Sequence, residues 1–281
     1  MLFFFMTLWT ALAGPRVVAI GDIHADPEAA RATLKMAGLV DEAGAWSGGE
    51  AVLVQTGDVT DKGPSSRRVI EILTKLQTEA RAAGGDVVAV LGNHEVMNIV
   101  GDWRGVRTED LNEYDAPETR MADLRPRGVM GQWIHGARMV VFRGDTVFVH
   151  GGVSAEMASL GRATLAEIQA KHVGVASHKA LFGSDGPMWY RGYLVSDEET
   201  ACAEVKQALA KLEARRMVMG HTTQKDGKIR TRCDGAIVAI DTGISAYAGH
   251  NFSAFELING DARAIYPGQT VDLPDPKKSA D

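Results

Sequence analysis

Three short apolar runs early in the chain each end on a glycine followed at once by side chains that bind metals or protons. Val17–Ile20 runs into Gly21-Asp22-Ile23-His24, Ala51–Gln55 into Gly57-Asp58-Val59-Thr60-Asp61-Lys62-Gly63, and Val87–Leu91 into Gly92-Asn93-His94-Glu95. Runs of Val, Ala, Ile and Leu bounded by Gly read as buried strands. Between them, Pro27–Leu39 and Pro64–Ala83 read as helices; the second carries Val69, Ile70, Leu73, Leu76 and Ala80 on one face. Strand, helix, strand, helix, strand predicts a largely parallel sheet. Ligands of such sheets bind beyond the carboxyl ends of the strands, which is where all three polar blocks fall.

Past the third block the pattern changes. Residues 98–135 hold many Asp, Glu, Arg and Pro with little periodicity, which predicts an irregular surface insertion beside the polar blocks. Hairpins follow: Met139–Arg143 with Thr146–Val149, Ile229–Arg232 with Ala236–Ile240, and Phe252–Leu257 with Ala262–Tyr266, each around a Gly-containing turn. Thr164–Leu181 and Glu199–Arg215 are predicted to be helical, and residues 268–281 to form a flexible tail. Met1–Ala13 is apolar and ends in Ala11-Leu12-Ala13, the pattern of an export signal without its usual basic start. It is too short to span a bilayer. The expectation is a periplasmic or secreted protein with one domain over residues 15–267.

A net charge of −6 argues against a nucleic-acid partner held by bulk electrostatics. It leaves room for an anionic substrate, because bound metal ions reverse the local potential of an acidic site. Neither Cys202 nor Cys233 lies in a metal-ligand spacing or begins a Cys-x5-Arg loop, so a thiolate nucleophile is disfavoured. One disulfide and two free thiols both remain open.

The chemistry therefore rests on Asp22, His24, Asp58, Asn93, His150 and His221, with His94 and Asp61 beside them. Oxygen and imidazole donors without thiolate suit Mn, Fe or Zn. If the chain stays extended past the first strand, Asp22 and His24 point the same way and share one ion.

The blocks GDIH, GDVTDKG and GNHE, with HGG at His150–Gly152, GPMWYRGY at Gly186–Tyr193 and MGHT at Met219–Thr222, resemble the PPP branch of the calcineurin-like metallophosphoesterases. Within that branch they are most similar to the Shewanella-like bacterial protein phosphatases, from about Arg16 to about Gly249. The resemblance implies an α-β-β-α sandwich, two sheets flanked by helices. It also implies two metal ions, manganese foremost: Asp22 and His24 on the first, Asp58 bridging, and Asn93, His150 and His221 on the second. His94 would be the general acid oriented by Asp61, and Arg191 and Lys62 would hold phosphate. Lys62 departs from the family's arginine, and Ala25 from its glycine. Glu95 would support the site or the start of a helix.

The function so implied is hydrolysis of phosphoserine, phosphothreonine or phosphotyrosine esters, in proteins or small molecules, by direct attack of a metal-bridging hydroxide. The alternative within the superfamily is a phosphodiesterase or dinucleotide polyphosphate hydrolase. The single histidine of Gly220-His221-Thr222-Thr223 and the Asp61-Lys62 pair speak against it. A metal-dependent phosphate-binding module is a further reading, opposed by the acid and its partner.

Overall fold

The computed structural model describes residues 14–276, so the expected export signal lies outside the described residues. Two sheets pack face to face. The first has six strands: β1 (Val17–Ile20), β2 (Val52–Gln55), β3 (Asp86–Ala89), β9 (Ala254–Ile258), β10 (Asp261–Tyr266) and β11 (Gln269–Asp272), in the order β11-β10-β9-β1-β2-β3. The second has five: β4 (Val140–Arg143), β5 (Thr146–Val149), β6 (Arg216–Met219), β7 (Arg230–Arg232) and β8 (Ile237–Ala239), in the order β4-β5-β6-β8-β7.

The first three strands are parallel, with Val17 opposite Val52 and Val52 opposite Asp86. The connections are α1 (Pro27–Met36) and α2 (Ser66–Ala82), whose starts are capped by Asp26 and Ser65 accepting from Ala29 N and Arg68 N. Because both faces are covered, the strands are apolar throughout rather than alternating. Val17, Ala19 and Val54 point between the sheets, where Phe148 and Phe255 meet edge to face with ring centres 6.1 Å apart. Val18, Ile20 and Leu53 point outward and pack on Leu34, Ile70 and Leu73 of the helices. This registry brings the ends of β1, β2 and β3 to one edge of the sandwich.

Three expectations are corrected. Residues 98–135 are not irregular throughout but alternate short helices with turns: α3 (Asn93–Ile99) is followed by α4 (Thr108–Leu111), α5 (Pro117–Asp123) and α6 (Val129–Gly136). Their period is weak because the inward side chains include an ion pair, Arg120 with Asp110, both buried. Residues 164–181 form α7 (Arg162–Glu167) and two 3-10 segments rather than one helix. The tail first forms β11, paired along Arg263–Tyr266, before the chain passes beyond the described residues. The three hairpins stand, the middle one turning through a 3-10 segment at Cys233–Gly235. Past the single turn α8 (Gly192–Val195), Cys202 on α9 (Glu198–Lys211) and Cys233 are joined by a disulfide. No helix among the described residues is long and apolar enough to cross a membrane.

Candidate metal centre and acid

The strand ends approach so closely that only glycine fits between them. A Cβ on Gly92 would lie 2.3 Å from the backbone nitrogen and Oδ1 of Asp58, and one on Gly220 would lie 2.4 Å from Asp22 Oδ1. The glycine ahead of each ligand-type residue is thus a packing requirement of a site assembled from separate strands. Past β1 the chain does not stay extended. His24 and Ala25 take φ values of 49° and 54°, so His24 reaches Asp22 through a turn rather than by strand alternation. The Ala25 departure therefore carries left-handed strain, about 1 kcal/mol for a residue with a Cβ. Ile23 N and His24 N both donate to Asp58 O, at 3.1 and 2.9 Å, which fixes the turn against the second strand end.

Asp58 lies at the centre. His24 Nε2 and His94 Nε2 are each 3.9 Å from its Oδ2, and His150 Nε2 is 3.3 Å from its Oδ1. Asp22 accepts from His221 N at 3.1 Å and lies 3.9 Å from His24 Nε2. Asn93 Oδ1 is 3.0 Å from His150 Nε2. One donor atom each from His24, Asp58 and His94 lie within 4.8 Å of one another, and so do those from Asp58, His150 and His221. The six residues expected to bind metal are all brought together, and all are buried.

Without a cation, their protonation is divided, and a bound cation would displace protons from the raised groups. Burial lowers the His24 pKa to about 4, and burial with nearby His150 lowers that of His221 further, so both rings are neutral. His150 is pushed up to about 10: burial opposes the charge, but Asp58 and Asp22 outweigh it. Burial and then Asp241 raise Asp22 well above the usual carboxylate range. His221 Nε2 is buried without a hydrogen-bond partner. The Nδ1 atoms of His24 and His150 lie 3.1 and 2.9 Å from the carbonyls of Thr60 and Thr56, which aims each Nε2 inward. An orphaned imidazole nitrogen facing carboxylates and an amide oxygen fits a divalent cation, whose charge would offset the crowding.

His94 is held differently. Its Nδ1 is 2.7 Å from Asp61 Oδ2, leaving Nε2 toward Asp58. Burial works against its charge, but Asp58 and the Asp61 hydrogen bond prevail and raise its pKa. Glu95 is no ligand. Its carboxylate accepts from the backbone nitrogens of Asp58, Val59, Thr60 and Gly92 and from Thr60 Oγ1, tying the second and third strand ends together. It is also the third residue of α3, so the support and helix-start readings are both met.

Lys62 turns inward, its Nζ 3.1 Å from His24 Nε2 and 5.8 Å from the Tyr247 ring centre. Arg191 is exposed at the rim and donates to His221 O and Thr222 Oγ1, both at 2.9 Å. Of the aromatic residues near it, Tyr193 is buried on Val153 O and Tyr190 is bonded to Glu204. Trp189 stands edge-on to His221 at 5.8 Å. Sequence reasoning missed Asp241. It is buried, accepts from Thr223 Oγ1 at 2.7 Å and Gly243 N at 3.0 Å, and buttresses the loop that carries His221. Only its position at the end of an apolar run could have marked it.

A two-sheet sandwich whose strand ends place two carboxylate–imidazole clusters on one shared aspartate has the design of a dinuclear metallohydrolase. Residues 15–225 match the calcineurin-like phosphoesterases, and the chain belongs to that family of metal-dependent phosphoesterases. An uncharacterised protein of Schizosaccharomyces pombe is 38% identical over 92% of this chain and 82% of its own. Shewanella-like protein phosphatase 2 of Arabidopsis thaliana is 33% identical over 82% of this chain and 71% of its own. Among solved structures, a cold-active protein-tyrosine phosphatase of a psychrophilic Shewanella superposes with a TM-score of 0.76 at 28% identity, covering 92% of this chain and 80% of that one.

Proposed function

We propose that this chain is a metal-dependent phosphoprotein phosphatase that hydrolyses phosphomonoesters, with His94 as general acid. The observation that carries the reading is the His94–Asp61 pair at 2.7 Å beside the clustered donors. Binding phosphate needs no acid, whereas expelling an alkoxide does. Asp22, His24 and Asp58 would hold one ion, and Asp58, Asn93, His150 and His221 the other. Two such ions would supply Lewis acidity to the phosphoryl group and acidify water; the thiolate-free donor set suits manganese, iron or zinc, and the family resemblance favours manganese.

The chain's own groups do the rest. Asp61 accepts a hydrogen bond from His94 Nδ1–H, so the proton to be transferred is the one on Nε2. Lys62 Nζ projects beside His24, where it meets non-bridging phosphoryl oxygens, with a single charge in place of a guanidinium fork. Arg191 at the rim holds the His221 loop through two bonds from one nitrogen and leaves other N–H groups for the substrate. The Tyr247 ring, 62% exposed beside Lys62, and Trp189 favour an aromatic ester, and phosphotyrosine is the substrate class we favour. This agrees with the tyrosine phosphatase likeness.

The test is His94→Asn assayed on two esters. Turnover of phosphoserine, with a poor leaving group, should fall about 10²–10⁴-fold, and that of nitrophenyl phosphate much less, with metal content unchanged. Equal losses would make His94 a phosphate-positioning residue, and loss of a metal would make it a ligand. Turnover of diesters alone would move the reading to a phosphodiesterase.

A further inference from the structure

The orientation of Asp61, and so of His94, traces back to one buried arginine in the helical insertion. Arg120, on α5, is 1% exposed and lies between the rings of Trp103 and Tyr114, at 5.0 and 5.9 Å. Its Nη1 donates to Asn98 Oδ1 at 2.7 Å. The amide of Asn98 then donates from Nδ2 to Asp61 Oδ1 at 2.7 Å and to His94 O at 2.9 Å. Asp61 Oδ2 completes the path at His94 Nδ1. A second branch leaves the same guanidinium. Arg120 Nη2 donates to Asp110 Oδ2 at 3.3 Å, Asp110 accepts from Ser66 Oγ at 2.6 Å, and Ser66 Oγ accepts from Asp61 N at 3.1 Å. One branch fixes the Asp61 side chain and the other its backbone.

The chemistry of the three groups gives the path a direction. A guanidinium only donates and a carboxylate only accepts, while a primary amide does both through two similar-looking ends. An asparagine between an arginine and an aspartate has one orientation that satisfies both neighbours. Asp61 Oδ1 and His94 O hold the NH2 end of the amide, and among the described residues Arg120 alone holds its oxygen. Without Arg120 the oxygen is left buried without a donor, the amide loses its anchor on the side of the insertion, and Asp61 is held less firmly toward His94. Burial raises the stakes, because these groups have no water to replace a lost partner.

We propose that Arg120 is a positioning residue for His94: it anchors the oxygen of the Asn98 amide, which holds Asp61 in the orientation that presents the imidazole to the leaving group. The insertion therefore serves turnover as a rigid support rather than as a substrate-covering lid. The proposal rests on the reading of His94 as the acid.

Two variants break the path at different points. Arg120→Met keeps bulk but leaves Asp110 unpaired, so it risks folding. Asn98→Leu cuts the link while the Arg120–Asp110 pair persists. For both, kcat on phosphoserine should fall about 10–100-fold with KM within about twofold, and nitrophenyl phosphate turnover should change little. Arg120→Lys, which keeps a donor toward Asn98, should recover part of the loss. The proton resonance of the His94 Nδ1–H, read in the diamagnetic zinc-loaded enzyme, should shift or broaden in Asn98→Leu.

In a His94→Asn background, Asn98→Leu should have no further effect on phosphoserine. Losses equal on both esters with the resonance unmoved, or an undiminished effect in the His94→Asn background, would overturn the proposal. His94→Asn alone tests the underlying acid reading, since its leaving-group dependence is measured with Arg120 and Asn98 intact.

Discussion

Replacing Glu95 by Gln is expected to destabilise the chain sharply although the two side chains share a shape. The carboxylate accepts three hydrogen bonds at Oε1, from Val59 N, Thr60 N and Thr60 Oγ1, and two at Oε2, from Asp58 N and Gly92 N. A glutamine has one oxygen to offer. Whichever way the amide turns, its NH2 faces at least two donors that have lost their acceptor. Each buried unsatisfied donor costs about 1–3 kcal/mol, so the loss is about 2–6 kcal/mol. That is a large part of the roughly 5–15 kcal/mol that holds a domain together. At about 2–4 °C per kcal/mol for a chain of this size, Tm should fall by at least about 4 °C. The assay is urea unfolding followed by circular dichroism, first in chelator and then with manganese. With the NH2 at the Oε2 position, which strands the fewer donors, Asp58 N is among them and metal affinity should weaken as well. A loss below about 1 kcal/mol with an unchanged m-value would refute the argument that Glu95 ties the strand ends together.

Asp58→Asn removes the carboxylate at the centre of both clusters, so bound metal and turnover should fall together while the circular dichroism spectrum persists. Two metals retained with near-normal turnover would sink the shared-ligand assignment. Lys62→Met should raise KM and weaken inhibition by inorganic phosphate without loss of metal; an unchanged KM would leave Lys62 as a neighbour of His24 with no part in phosphate binding. The Cys202–Cys233 disulfide, spanning 31 positions, should contribute about 3–4 kcal/mol in the chain-entropy model, read as the difference between urea midpoints with and without reductant. N-terminal sequencing of protein from its native host should find Gly14 first if Met1–Ala13 is an export signal, and an intact Met1 would refute it.

The sequence by itself determined the strand ends and the kinds of atom gathered there. Apolar runs stopping at Gly21, Gly57 and Gly92 are visible because burial on both faces forces uniform hydrophobicity, and close approach at the ends forces glycine. The six expected metal-binding residues could be named from the order of several motif blocks that resemble one family's, since any one Gly-Asp or buried His alone is more often structural. β6 was not legible. Arg216–Met219 follows α9 after a short turn, and two faces buried in opposite directions erase any period that would separate a strand from more helix.

Tertiary structure alone decided that His24 reaches Asp22 through a left-handed turn, since one φ value redirects a side chain without changing composition. It also decided that Asp241 buttresses His221 and that Arg120 of the insertion reaches Asp61 through Asn98. Those partners lie far apart in sequence, and their value comes from burial. A charged side chain reads as solvated surface until the fold removes its water and leaves a single partner in place of it.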